Sequence, residues 1–130
     1  MDRTFSELLS LAIAAHKSSN LTTASRLYKS LLSKYPLHPD ANHNFAILTI
    51  ELGREDNALP YLQTAIITNP YVPQYWVTFI NTLTNIGKFD QAQSVLDQAI
   101  AFGYEDEIFT HLQHNLDLKK YEFKPIFPID

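Results

Sequence analysis

Two stretches decide the fold: GREDNALPYLQTA, residues 53–65, and GKFDQAQSVLDQA, residues 87–99. Few residues are identical between them. Both nevertheless place Gly first, Ala sixth, Leu tenth and Ala thirteenth, and they start 34 residues apart. Sliding the chain against itself extends the register in both directions. Ala24, Ala58 and Ala92 fall on one position, as do Tyr28, Leu62 and Leu96, and Leu31, Ala65 and Ala99. Earlier in each copy come Leu8, Asn42 and Trp76, then Leu11, Phe45 and Phe79, then Ala12, Ala46 and Ile80. Ser19, Gly53 and Gly87 break each copy in the middle, and Pro36, Pro70 and Tyr104 close it.

Within each copy the apolar residues recur at three and four, the period of a helix face. The central Ser or Gly interrupts that period, so each copy reads as two helices joined by a short turn. A small Ala in the second helix permits close approach, and the larger residue four places on fills the space beside it. Such a hairpin cannot bury its apolar faces alone and must stack on its neighbours. The spacing predicts helices near 4–18, 22–35, 40–52, 55–68, 74–86 and 89–102. A seventh, near 105–118, carries Ile108, Phe109, Leu112 and Leu116 and reads as a cap with a polar outer side. Gly103 reads as the terminator of the sixth helix. In HPD, Asp40 reads as a helix N-cap. Pro60 lies inside the fourth helix, which implies either a late start near Asp56 or Asn57, or a kink.

This pattern resembles the tetratricopeptide repeat (TPR), most clearly in the third copy through Trp76, Phe79, Ile80, Leu83, Gly87, Ala92, Leu96 and Ala99. The resemblance runs from about Phe5 to Tyr104. It implies an all-α, right-handed superhelix of three helix-turn-helix repeats (about 5–38, 39–72 and 73–106) with a C-terminal capping helix. The TPR domain then occupies 1–118, and 119–130 forms an extended tail or linker, because Pro125 and Pro128 forbid helix there. The run from Pro73 to Leu116 also resembles the N-terminal TPR block of bacterial multidomain transferases.

Composition narrows the function. The 130 residues carry 45% apolar residues, enough for a packed core, and a net charge of −4, which disfavours non-specific nucleic-acid binding. With no cysteine there is no disulfide framework and no thiolate nucleophile. A reducing, cytoplasmic setting fits. LLSLAIAA, residues 8–15, is too short to span a membrane, and the acidic MDRTFSE before it is the wrong start for a signal peptide. His38 and His43 form one histidine pair and His111 and His114 another, but neither has a third ligand at a suitable spacing, so no metal is expected. There is no G-x-S-x-G elbow and no glycine-rich phosphate loop. No catalytic residue and no cofactor are expected of this segment.

In TPR proteins the first helices line a concave face that commonly holds a peptide or a partner's helix. The resemblance places Leu9, Ser10, Ile13, His16 and Lys17 on that face in the first repeat. It places His43, Asn44, Ile47, Ile50 and Glu51 there in the second, and Val77, Thr78, Asn81, Thr84 and Asn85 in the third. The asparagines can donate and accept together, as an extended peptide backbone requires. Chaperone-binding TPR proteins clamp a terminal carboxylate with Lys, Arg and Asn. At those places this chain has Leu9, Ile13, Asn44, Gln74 and Thr78, so only Asn44 matches and that ligand is disfavoured. The expected partner is therefore a protein or peptide, with no nucleic acid and no membrane. The alternatives are a substrate-recruiting accessory domain of a glycosyl-, methyl- or sulfotransferase, and self-association through an uncapped repeat face.

Overall fold

The computed structural model describes residues 3–123. Within them lie seven α-helices and no strand: α1 (Phe5–Lys17), α2 (Leu21–Lys34), α3 (Pro39–Glu51), α4 (Glu55–Thr68), α5 (Pro73–Asn85), α6 (Phe89–Phe102) and α7 (Glu107–Glu122). The chain forms two compact units, Met1–Tyr75 and Trp76–Asp130, divided inside α5 rather than between repeats.

The turns repeat bond for bond. After α1, the amide of Ser19 donates to the His16 carbonyl at 3.1 Å and that of Asn20 to the Ala15 carbonyl at 2.9 Å. After α3 the same pair is Gly53 to Ile50 (2.9 Å) and Arg54 to Thr49 (3.0 Å); after α5 it is Gly87 to Thr84 (3.1 Å) and Lys88 to Leu83 (2.9 Å). These are Schellman closures, which need a left-handed residue just past the helix. Ser19 at φ 63°, Gly53 at 77° and Gly87 at 83° supply it. A Gly in that role also ends α6: Gly103 has φ 121°, and the Tyr104 amide reaches the Ala99 carbonyl at 3.0 Å. The helices α2 and α4 instead end before Pro36 and Pro70, with only the Tyr35 and Asn69 amides bonded back to Leu31 and Ala65.

In the first unit α1 packs on α2, α3 on α4 and α2 on α3. Ala24 and Ala58 are fully buried, as are Tyr28, Leu62, Leu31 and Ala65 at the other shared positions. Ala12, Phe45 and Leu48 join Tyr28 and Leu31 in one cluster, flanked by Phe5, Leu8, Leu9 and Tyr61. Leu11 departs from its repeat equivalents. It is 40% exposed where Phe45 is 8%. Among the described residues no earlier hairpin lies against α1 to cover it. Asn42, at the place of Trp76, is buried and uses its side-chain amide to hold the preceding turn, donating to the Pro36 and His38 carbonyls at 3.0 and 2.7 Å.

In the second unit Ala92, Leu96 and Ala99 are fully buried. Trp76 lies about 6 Å from both Phe102 and Tyr104, centroid to centroid (6.1 and 6.0 Å), and Tyr104 stacks on Phe109 of α7 at 5.1 Å. Phe109, Leu112 and Leu116 are the buried residues of α7, which packs on α6.

Two expectations are corrected. α7 runs to Glu122, so residues 119–122 are helical rather than extended: no proline stands between Pro73 and Pro125, and Phe123 is held edge-on against Phe89 at 5.2 Å. The rest of the expected tail, 124–130, lies outside the described residues. Asp40 does not cap α3. Pro39 opens that helix, a favoured first position for proline, and His38 Nδ1 accepts the Ala41 amide at 3.2 Å. By contrast α4 spans Glu55–Thr68, as the spacing predicts, with Pro60 inside it, and the missing proline N–H leaves the Asp56 carbonyl without its usual amide.

Candidate functional site

The first helices of the two complete hairpins in unit one, α1 and α3, touch each other. Two side-chain links tie successive first helices, and each joins residues 35 apart, one repeat plus one. His16 Nε2 lies 2.7 Å from Glu51 Oε2. Its other ring nitrogen, Nδ1, lies 3.4 Å from the Tyr28 hydroxyl. One imidazole thereby connects α1, α2 and α3. The second link is the Tyr75 hydroxyl donating to Asp40 Oδ1.

Burial sets the electrostatics of both. It pushes the Tyr28 hydroxyl up to about 12, with the Glu51 charge adding to the effect. Burial raises Tyr75 well above the ordinary tyrosine range, helped by the hydrogen bond and charge of Asp40. His43, buried against the Tyr75 ring at 4.8 Å, is pushed below the usual histidine value by desolvation, which the Asp40 charge opposes.

The expected face residues divide into two groups. His43 and Val77 are each 6% exposed and Thr84 is 1% exposed, so packing takes nearly all of their surface. Thr84 donates its hydroxyl to the Ile80 carbonyl at 2.8 Å. Leu9 is half-buried against the core cluster. Ile13, Asn44, Ile47 and Ile50 are half-buried, while Ser10, Lys17 and Glu51 are exposed. In the second unit Thr78 and Asn81 are half-buried on α5 and Asn85 is exposed at its end. The expected face residues of unit one that keep surface open are thus the aliphatic Leu9, Ile13, Ile47 and Ile50 and the polar Ser10, His16, Lys17, Asn44 and Glu51.

The histidines do other work. The half-buried His38 caps α3 and lies tilted against the Phe5 ring at 4.0 Å, and the exposed His111 on α7 lies 3.7 Å from the exposed Glu107. Among the described residues no group of three or more histidine and carboxylate side chains gathers into a metal site. No helix among them is long and apolar enough to cross a membrane.

No protein-family model matches the sequence, and no curated protein matches it. Solved structures do. A tetratricopeptide repeat protein from Parabacteroides merdae superposes with a TM-score of 0.83 at 19% identity, over 91% of this chain and 46% of that one. The chain therefore spans about half the length of that protein. The Yersinia enterocolitica type III secretion chaperone SycD, in complex with a peptide of the translocator YopD, gives 0.77 at 17% identity over 95% of this chain and 98% of that one. The TPR2B domain of yeast Sti1, in its complex with pHsp70, gives 0.76 at 15% identity over 88% and 97%. The chain has the all-α tetratricopeptide-repeat fold.

Proposed function

We propose that this chain is a protein-interaction module that binds an extended peptide or a partner segment on the face of its first helices. The observation that carries this reading is the surface left open on α1 and α3. Ile13 and Ile47 keep part of their aliphatic surface exposed, beside Asn44, Ser10 and Glu51, on helices tied together by the His16–Glu51 contact at 2.7 Å. A partly exposed aliphatic pair bordered by amide and hydroxyl groups suits a ligand that brings one apolar side chain and a backbone with hydrogen bonds to satisfy. Thr78 and Asn81 offer the same chemistry on α5 of the second unit. Two proteins of this fold, SycD and Sti1, are found with a translocator peptide and with pHsp70. Recognition here does not run through a terminal carboxylate, because four of the five clamp places hold Leu9, Ile13, Gln74 and Thr78. The module performs no catalysis of its own.

Selection of binders from a displayed library of random extended peptides tests the reading. Enriched peptides should lose about tenfold in affinity against Asn44→Ala, whose helicity should stay unchanged. A library that yields no binder, or binders indifferent to Asn44→Ala and to Ile47→Ser, overturns it.

A further inference from the structure

A second groove is formed by residues of α2, α3 and the start of α4, none of them among the expected face residues. It comprises two adjoining clefts of ≈ 360 and ≈ 480 Å3 that share Ser25, Lys29 and Leu52. Three cations line it: Arg26 and Lys29 from α2, and Arg54 from the turn before α4. No carboxylate lines either cleft, in a chain whose acids outnumber its Lys and Arg by 14 to 10. Glu55 and Asp56 follow Arg54 directly but do not line the groove. Among the described residues none of the three cations has a carboxylate within ion-pair distance. The floor, by contrast, is apolar. Phe45 and Tyr61 meet edge-on at 4.9 Å, with Leu52 and Pro60 beside them. Pro60 contributes twice: it is part of that floor, and as an interior proline it is the least expected residue of α4.

We propose that this groove is a distinct binding site for an acidic peptide segment in which one apolar side chain is flanked by carboxylates. The chemistry follows from the lining. Lys29 is shared by the two clefts, with Arg26 lining one and Arg54 the other, so three cations along the joined groove raise the local potential for anions and steer an acidic chain toward it. The guanidinium groups of Arg26 and Arg54 offer paired donors that match a carboxylate. The Phe45–Tyr61 floor takes the apolar side chain, and Ser25 and Asn57 supply neutral hydrogen-bonding groups for the backbone between. A small inorganic anion alone would leave that floor unused, which is why a peptide fits better than free phosphate.

The test uses the whole chain and a fluorescein-labelled probe peptide, Asp-Glu-Phe-Asp-Glu, read by fluorescence anisotropy. Binding should weaken about tenfold or more in the Lys29→Glu/Arg54→Glu variant, and several-fold in Lys29→Gln/Arg54→Gln, which guards against a misfolded charge reversal. Raising the salt from about 0.05 M to about 0.5 M should weaken it further. The Asn44→Ala variant should bind this probe as the native chain does, which separates the groove from the first-helix face. A companion probe, Asp-Glu-Ala-Asp-Glu, should bind several-fold more weakly. Equal binding of the two probes would reduce the groove to a plain anion site and overturn the proposal. So would equal binding by the native chain and both variants, or no binding of the Phe probe at about 1 mM.

Discussion

Replacing Leu62 by alanine tests whether the shared positions of the repeat carry the stability of the fold. Leu62 is fully buried on α4, and its repeat equivalents Tyr28 and Leu96 are fully buried too. The change removes three carbons from water-free surroundings, at ~0.8 kcal/mol each, or about 2.4 kcal/mol of transfer free energy. The neighbours Ala58 and Ala65 on the same helix are themselves small and fully buried, so they cannot fill the space left behind. The cavity term therefore stays, and the total should reach about 3–4 kcal/mol. Ile67 is the internal control, on the same helix but 68% exposed. Ile67→Ala should change stability by no more than about 0.5 kcal/mol. Urea denaturation followed by far-ultraviolet circular dichroism reads both, and Leu96→Ala should repeat the Leu62 result in the second unit. A loss below about 1 kcal/mol for Leu62→Ala, or a loss equal to that of Ile67→Ala, would refute the reasoning.

The turns predict opposite signs at one repeat position. Gly53→Ala places a Cβ in open space but at φ 77°, so it should cost about 1–2 kcal/mol from the backbone alone, whereas Ser19→Gly should stabilise by about 0.5 kcal/mol; thermal melts compare them. The raised Tyr28 hydroxyl keeps its proton longer in the folded chain than in the unfolded one. Its contribution is therefore complete below pH 10.0 and declines as pH rises toward about 12, a slope that Tyr28→Phe should flatten in a melting-temperature series. His43 works the other way. With its folded value lowered from 6.5, the unfolded chain takes up the proton first, so stability is full above pH 6.5, falls as pH drops below it and levels off below the folded value; His43→Gln should remove that slope.

The helices were legible in the sequence because three copies in one register reinforce a signal that each copy gives weakly. The turn position was legible as well: Gly53 and Gly87 mark it, and Ser19 marks it by register alone despite its side chain. Details that depend on partners distant in sequence were not. Asp40 sits where a local reading expects a cap, but His38 takes that role and Asp40 instead receives the hydroxyl of Tyr75, 35 residues on. The His16–Glu51 contact spans the same interval, so a search for complementary side chains at one repeat plus one would have found both. Among the face residues, sequence register fixes which way a helix position points but not how much of it a neighbour covers. His43 and Val77 share register positions with Leu9 and end nearly covered, while Ile13 and Ile47 keep surface open. The groove of Arg26, Lys29 and Arg54 gave no local signal, since its cations come from two elements and the chain as a whole is acidic.

The most direct test of the interaction-module account is an amide chemical-shift titration of the isotopically labelled chain with a peptide enriched from the random library. The account predicts shifts centred on Ser10, Ile13, Asn44, Ile47 and Glu51 of α1 and α3, with α2 and α4 little changed. Shifts centred on the second helices, with α1 and α3 unmoved, would contradict it.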